Sequence, residues 1–98
     1  MYIFIAADGL LSLRDSDDMR AFSIVEEQSG SAVKWLAEIA EPAGGQHFWL
    51  DANAVVKLSG RMQDEAWVGK FRDMLASVEA YGYFDMEKNR VKAHVEQS

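Results

Sequence analysis

Cysteine is absent from this chain of 98 residues, and proline occurs only once. Without cysteine the chain can form no disulfide, no thiolate metal site and no cysteine nucleophile. The absence fits a reducing compartment, and we expect the protein to be cytoplasmic. The single proline and the dispersed glycines favour compact elements that are joined by short loops.

Long apolar runs are missing as well. The N-terminal run, residues 2–7, is interrupted by Asp8 and is not preceded by a positively charged segment. It therefore predicts a β-strand, and neither a signal peptide nor a membrane span. No membrane association is expected.

Basic residues are outnumbered. The chain has 16 acidic and 10 basic residues, which gives a net charge of −6. An acidic surface repels phosphate backbones and anionic lipids, so nucleic acid is not expected as a partner. The imbalance lies in residues 1–59, which hold nine acidic and four basic residues, whereas residues 60–98 hold seven and six. The nearly neutral C-terminal part leaves room for a local basic face.

The length predicts one globular domain, residues 1–98. Hydrophobic residues make up 49% of the chain, which is enough for a core. We expect the α+β class, with a mostly antiparallel sheet of four to five strands. One long amphipathic helix packs on one face of this sheet, and one or two shorter helices accompany it.

The long helix is predicted over residues 63–81. Large apolar side chains recur there at steps of three and four, which places them on one helical face. They are Trp67, Phe71, Leu75, Val78 and Tyr81. Asp64 and Glu65 lie in the first turn, where a carboxylate is favoured, and Gly82 lies where a positive φ commonly ends a helix.

Short strands and turns account for most of the rest. Asp8 and Gly9 predict a hairpin turn after the first strand, because both tolerate positive φ. Further strands are predicted over residues 20–27 and 47–50, and a closing hairpin over residues 83–86 and 90–96.

Two segments predict shorter helices. Residues 32–41 fit either a helix or a strand, and we favour a helix because Ser31 can cap its start and Pro42 would stop it. Asp51 is predicted to cap a brief helix that ends at Gly60.

The last strand carries the first candidate site. Arg90, Lys92 and His94 alternate with apolar residues, so a strand projects all three from one face. With Tyr83 as a stacking surface, they could bind a phosphate or a carboxylate. The favoured alternative is structural, because basic residues on an exposed strand discourage pairing with other strands.

A metal site has weaker support. A catalytic zinc usually takes three protein ligands, and His47, Asp51 and His94 are the candidates. Their spacing matches no recurrent signature, and His47 is favoured as a structural histidine. The chain contains no nucleotide-binding, hydrolase or metalloprotease motif. We therefore predict no catalytic residue and no cofactor.

Aromatic side chains are numerous for one small core, and Trp49 is one of several candidates for a surface contact. Gly69 lies inside the predicted long helix, where glycine costs about 1 kcal/mol relative to alanine. A glycine would be needed at this position if another backbone packs closely against the helix beside Gly69 and Arg72. That backbone could belong to the same chain or to the partner in a homodimer.

These features rank three hypotheses. The first is a non-enzymatic interaction or structural module that self-associates or binds another protein. The second is a binder of a small anionic ligand or nucleic acid at the C-terminal strand. The third is a small metal-dependent enzyme.

Overall fold

A computed structural model describes residues 1–97, which form seven strands and three helices. The strands are β1 (Tyr2–Ile5), β2 (Leu11–Arg14), β3 (Ser23–Glu26), β4 (Ala40–Gly44), β5 (His47–Asp51), β6 (Phe84–Asp85) and β7 (Arg90–Gln97). The helices are α1 (Ala32–Trp35), α2 (Ala52–Ser59) and α3 (Glu65–Glu79). None of these three helices combines the length and the apolarity that crossing a membrane requires.

The long strand β7 joins two halves of one mixed sheet. Six strands lie in the order β2-β1-β3-β7-β5-β4, and β6 pairs with β7 outside this path. β1, β3 and β7 are parallel, whereas the other pairings are antiparallel. On one edge of β7, β6 pairs with residues 90–91 and β3 with residues 94–97. β5 pairs with residues 90–94 on the opposite edge.

The α+β class is confirmed, but the predicted sheet is wrong in detail. It has seven strands instead of four to five, and its centre is parallel. Turn residues reveal hairpins because the partners are neighbours in the chain. The pairings of β1 with β3 and of β3 with β7 join distant segments, and no local pattern encodes them.

The helices contribute their buried side chains to one face of the sheet. Alternate residues of the four central strands face this side, and Ile3, Ile24, Leu50 and Val91 are at most 2% exposed. From α3 come Trp67 and Phe71, whose rings stack with centroids 5.3 Å apart. These residues belong to one hydrophobic cluster.

Helix α3 begins and ends within the predicted range 63–81, at Glu65 and Glu79. Its N-cap is Asp64, whose carboxylate accepts a hydrogen bond from the backbone N–H of Trp67 at 3.1 Å. After the last turn, Gly82 has a φ of 82°. The two backbone N–H groups of residues 82 and 83 donate to the carbonyls of residues 79 and 78. Glycine at this position ends the helix as predicted.

The short helix after Asp51 is also confirmed. α2 spans Ala52–Ser59 with Asp51 as its N-cap residue, and Gly60 follows with a φ of 71°. The carboxylate of Asp51 makes no capping hydrogen bond within the described residues. Asp51 therefore acts as the N-cap residue only through its extended backbone conformation, which is the conformation usual at this position.

The prediction of a helix over residues 32–41 is largely wrong. Only Ala32–Trp35 is helical, and Ala40–Gly44 is the edge strand β4. Proline is tolerated on an edge strand because it lacks only an N–H, and Pro42 stands opposite Phe48. Pairing with the aromatic strand β5 outweighs the helix propensity of the preceding residues.

Candidate ligand-binding site

The second face of the sheet carries no fully buried side chain. Its residues alternate with the core residues along each strand and are half-buried or exposed. Cross-strand register places Tyr2, Ser23, His94 and His47 in one row. This face, which we call the open face, also presents Phe4, Val25, Trp49, Lys92 and Glu96.

Lys92 lies between two aromatic rings on the open face. Its Nζ is 5.2 Å from the ring centroid of Trp49 and 5.7 Å from that of Tyr83. Both separations lie within the range of cation–π attraction. Among residues 1–97, Lys92 forms no ion pair with a carboxylate. Two aromatic rings therefore border the ammonium of Lys92, and no carboxylate of the described residues compensates its charge.

Two histidines continue this basic surface. His47 and His94 are opposite each other in β5 and β7, and their ring centroids are 5.1 Å apart. His94 is exposed and His47 is half-buried. Their side chains lie on the same face of the sheet as Lys92, and all three line one cavity.

A cavity of about 260 Å³ opens where β3 and β6 approach the same edge of β7. We call it the Lys92 cavity. Its basic lining residues are Arg20, His47, Lys92 and His94. Its other lining residues are Ala21, Phe22, Met74, Val78, Tyr83 and Val91. In the described part of the chain, no acidic side chain lines it, although the whole chain has a net charge of −6.

Arg20 contributes less than its charge suggests. Its Nε and Nη2 donate to the carboxylate of Asp18 at 3.1 Å and 3.4 Å, and its side chain is 91% exposed. The side chain and the backbone N–H of Arg20 lower the pKa of Asp18. Arg20 is therefore already paired at the cavity rim, and Lys92 supplies the uncompensated charge.

Arg90 does not join the other predicted ligands. It pairs with Asp85 at 3.2 Å and with Glu41 at 3.4 Å, and its guanidinium stands 4.6 Å from the Trp49 ring centroid. The pKa of Asp85 lies below its ordinary value. The main cause is the hydrogen bond from the backbone N–H of Lys88, and the guanidinium of Arg90 makes a smaller contribution. Three of the four predicted residues thus share the Lys92 cavity, and Arg90 does not.

The three candidate metal ligands do not meet. His47 and His94 are neighbours, but Asp51 stands opposite Arg90 at the other end of β5. Four residues of a strand span about 13 Å, too far for one metal ion. Within residues 1–97, no group of three His, Cys, Asp or Glu side chains has metal-binding geometry.

The three candidate interface residues do not share one surface. Gly69 and Arg72 are exposed on α3, whereas Trp49 lies on the open face on the other side of the sheet. A Cβ atom added to Gly69 would meet no atom of the described chain within 4 Å. Close packing inside the molecule therefore does not explain this glycine.

Sequence reasoning missed the rest of the cavity. Arg20 and Phe22 precede β3, while Met74 and Val78 come from α3. The parallel pairing of β3 with β7 brings Arg20 and Phe22 to the site, and α3 brings Met74 and Val78. No sequence pattern indicates either arrangement. The alternation of basic and apolar residues along β7 predicts only that Lys92 and His94 lie on the same face.

Comparison of the chain with models of known families, with curated proteins and with solved structures gives no match. The function must therefore be argued from the geometry of the site.

Proposed function

We propose that this protein is a non-enzymatic binder of a small anionic ligand and that the Lys92 cavity is its binding site. The observation that carries the proposal is a cavity that, among residues 1–97, has four basic and no acidic lining residues, in a chain with a net charge of −6. The lack of cysteine suits a reducing compartment, and we propose the cytoplasm as its location.

The charge of Lys92 makes an anion the favoured occupant. Two opposite charges about 4 Å apart near a protein surface attract by about 4 kcal/mol. Desolvation and the loss of free motion on binding offset most of this attraction, so one such contact alone gives only weak binding. Hydrogen bonds from His94 and His47 would add to it, because charge-assisted hydrogen bonds are stronger than neutral ones.

The same geometry disfavours a nucleic acid chain. Polyanions are recognised along extended basic surfaces with several phosphate contacts. Here the basic groups surround one small cavity, and Arg90 beyond it is neutralised by Asp85 and Glu41. The site suits one anionic group.

The first test is a titration of the ¹⁵N-labelled protein with inorganic phosphate and with acetate, followed by backbone amide NMR. We expect saturable shifts at residues 20–22, 83 and 92–94. Lys92→Gln should weaken binding at least about tenfold, because the uncompensated charge is lost. Lys70→Gln, which removes an exposed charge on α3, is the matched control.

The proposal fails if neither anion shifts these amides. It fails equally if Lys92→Gln and Lys70→Gln weaken binding by the same factor, since only general charge would then matter.

Self-association through the open face is the second candidate function. Tyr2, Phe4, Val25 and Trp49 are half-buried there, and none of them reaches the core of its own chain. Aromatic residues are enriched at protein interfaces, and a two-fold symmetric pair is the commonest assembly. We propose a second copy of this chain as the partner.

Native mass spectrometry and light scattering test the second candidate. The wild-type chain should be a dimer, and Phe4→Lys should make it monomeric, because the interface would then bury an unpaired charge. Leu10→Lys, at an exposed position in the β1–β2 turn, should leave the dimer intact. A wild-type monomer at about 100 µM, a concentration far above the dissociation constants of stable complexes, would rule this candidate out.

A further inference from the structure

We infer that the ligand of the Lys92 cavity is an amphipathic monoanion, a carboxylate attached to one flat apolar ring. This inference rests on the proposed function and adds the chemical class of the ligand. It follows from how the cavity walls are arranged across the sheet.

The cavity passes the edge of β7 from one face of the sheet to the other. Lys92 and His94 project to the open face, whereas Val91 projects to the helix-covered face and is 2% exposed. Met74, 7% exposed, and Val78 reach the same cavity from α3. One end of the cavity is therefore cationic and the other end belongs to the hydrophobic core.

This polarity requires a ligand with two unlike ends. The anionic group would contact the Lys92 ammonium at the open face. Its apolar body would extend toward Met74 and Val78, where a hydroxyl-rich body would lose hydrogen bonds to water without replacement. A free inorganic anion would leave the apolar end unused.

The walls favour a flat body. Tyr83 borders the cavity immediately before β6, and Phe22 borders it immediately before β3. Aromatic rings pack well against a planar group in offset or edge-to-face arrangements. The volume of about 260 Å³ lies just below the usual range for ligand pockets, so one ring and one acid group are the fitting size.

The charge balance favours a single negative charge. Of the lysine and arginine side chains that line the cavity in the described chain, Lys92 is the one without a carboxylate partner, since Arg20 is bound to Asp18. A carboxylate matches it one to one. A dianionic phosphate monoester would bring a second charge without a dedicated partner.

Three probe ligands separate the contribution of the apolar ring from that of the negative charge in calorimetric or NMR titrations of the wild-type chain. Phenylacetate carries both the ring and the charge, acetate carries only the charge, and phenylacetamide carries only the ring. We expect phenylacetate to bind at least about tenfold more tightly than either of the others.

Variants then assign the two ends of the ligand. Lys92→Gln should reduce the affinity for phenylacetate to that for phenylacetamide. Val78→Asn should reduce it toward that for acetate while the acetate affinity is unchanged. Ala76→Ser, at an exposed position of the same helix, is the control. Tyr83→Ala, at an exposed residue, provides a second test of the ring contact if Val78→Asn does not fold.

The outcomes distinguish this inference from the proposed function. Equal, Lys92-dependent binding of acetate and phenylacetate would overturn the inference and leave the anion-binding function standing. No binding of acetate, phosphate or phenylacetate at about 10 mM would overturn both. Tighter binding of hexanoate than of phenylacetate would refute the flat ring.

Discussion

Glu26 shows how one residue can be both buried and charged. Its side chain is 3% exposed, and its carboxylate accepts hydrogen bonds from the backbone N–H groups of Gly30 and Ala32 and from Gln97 Nε2 at 3.0, 2.8 and 2.6 Å. Burial by itself raises the pKa of Glu26, but these three donors outweigh it and the pKa is lowered. The carboxylate thereby fixes the start of α1 against the end of β7.

Glu26→Gln should lower the free energy of unfolding at neutral pH by about 1–3 kcal/mol, because a buried charge-assisted network is broken. The lowered pKa in the folded state means that Glu26 stabilises the fold above its unfolded pKa. That contribution is lost as the pH falls through the folded pKa. Urea unfolding between about pH 6 and pH 3 should therefore show a smaller loss of stability for Glu26→Gln than for the wild type.

Glu38→Gln, at an exposed position, is the control for this comparison and should follow the wild-type pH profile. Parallel profiles for the wild type and Glu26→Gln would show that the network at Glu26 does not contribute.

Gly69 and Gly9 differ in the space around their Cα atoms, and this difference gives a second prediction for single residues. Gly69→Ala should raise the free energy of unfolding by about 0.5–1 kcal/mol, because alanine favours the helix and its Cβ meets nothing. Gly9→Ala should destabilise the fold, since Gly9 has a φ of 91° and a Cβ there would lie 2.5 Å from the Trp35 ring. Thermal and urea unfolding measure both, and a lower melting temperature for Gly69→Ala would point to a contact at that position with another chain.

Among the elements, α3 was the most predictable and β4 the least. The apolar period of α3 and the residues at its ends, Asp64 and Gly82, agree with one another, so local signals sufficed. Residues 32–41 gave conflicting signals, and the outcome was decided by the distant strand β5. The same distinction applies to the site, since Lys92 and His94 alternate visibly, whereas Met74 and Arg20 arrive from other elements.

Helix α3 also anchors the loop that precedes β3, and this contact can be tested. Trp67 Nε1 donates to the carbonyl of Ser16 at 2.7 Å, and its ring is 3% exposed. Trp67→Phe keeps an aromatic ring on Phe71 but leaves that carbonyl without its donor. We expect a loss of about 1–3 kcal/mol in urea unfolding.

Faster hydrogen exchange at residues 16–22 should accompany the loss, because the loop is freed from α3. Trp49→Phe, on the open face, is the control and should leave exchange in this loop unchanged. Unchanged exchange in Trp67→Phe would mean that other contacts, such as Arg61 with Asp17 at 2.6 Å, hold the loop alone.

At the scale of the whole molecule, the shared strand β7 determines when the fold can be completed. β3 and β5 pair with opposite edges of β7, yet β7 follows the other six strands of residues 1–97. During synthesis both strands must wait with unpaired edges, which are prone to join other chains. We therefore expect slow folding that is dominated by contacts between distant segments, and aggregation of chains in which β7 has not yet formed.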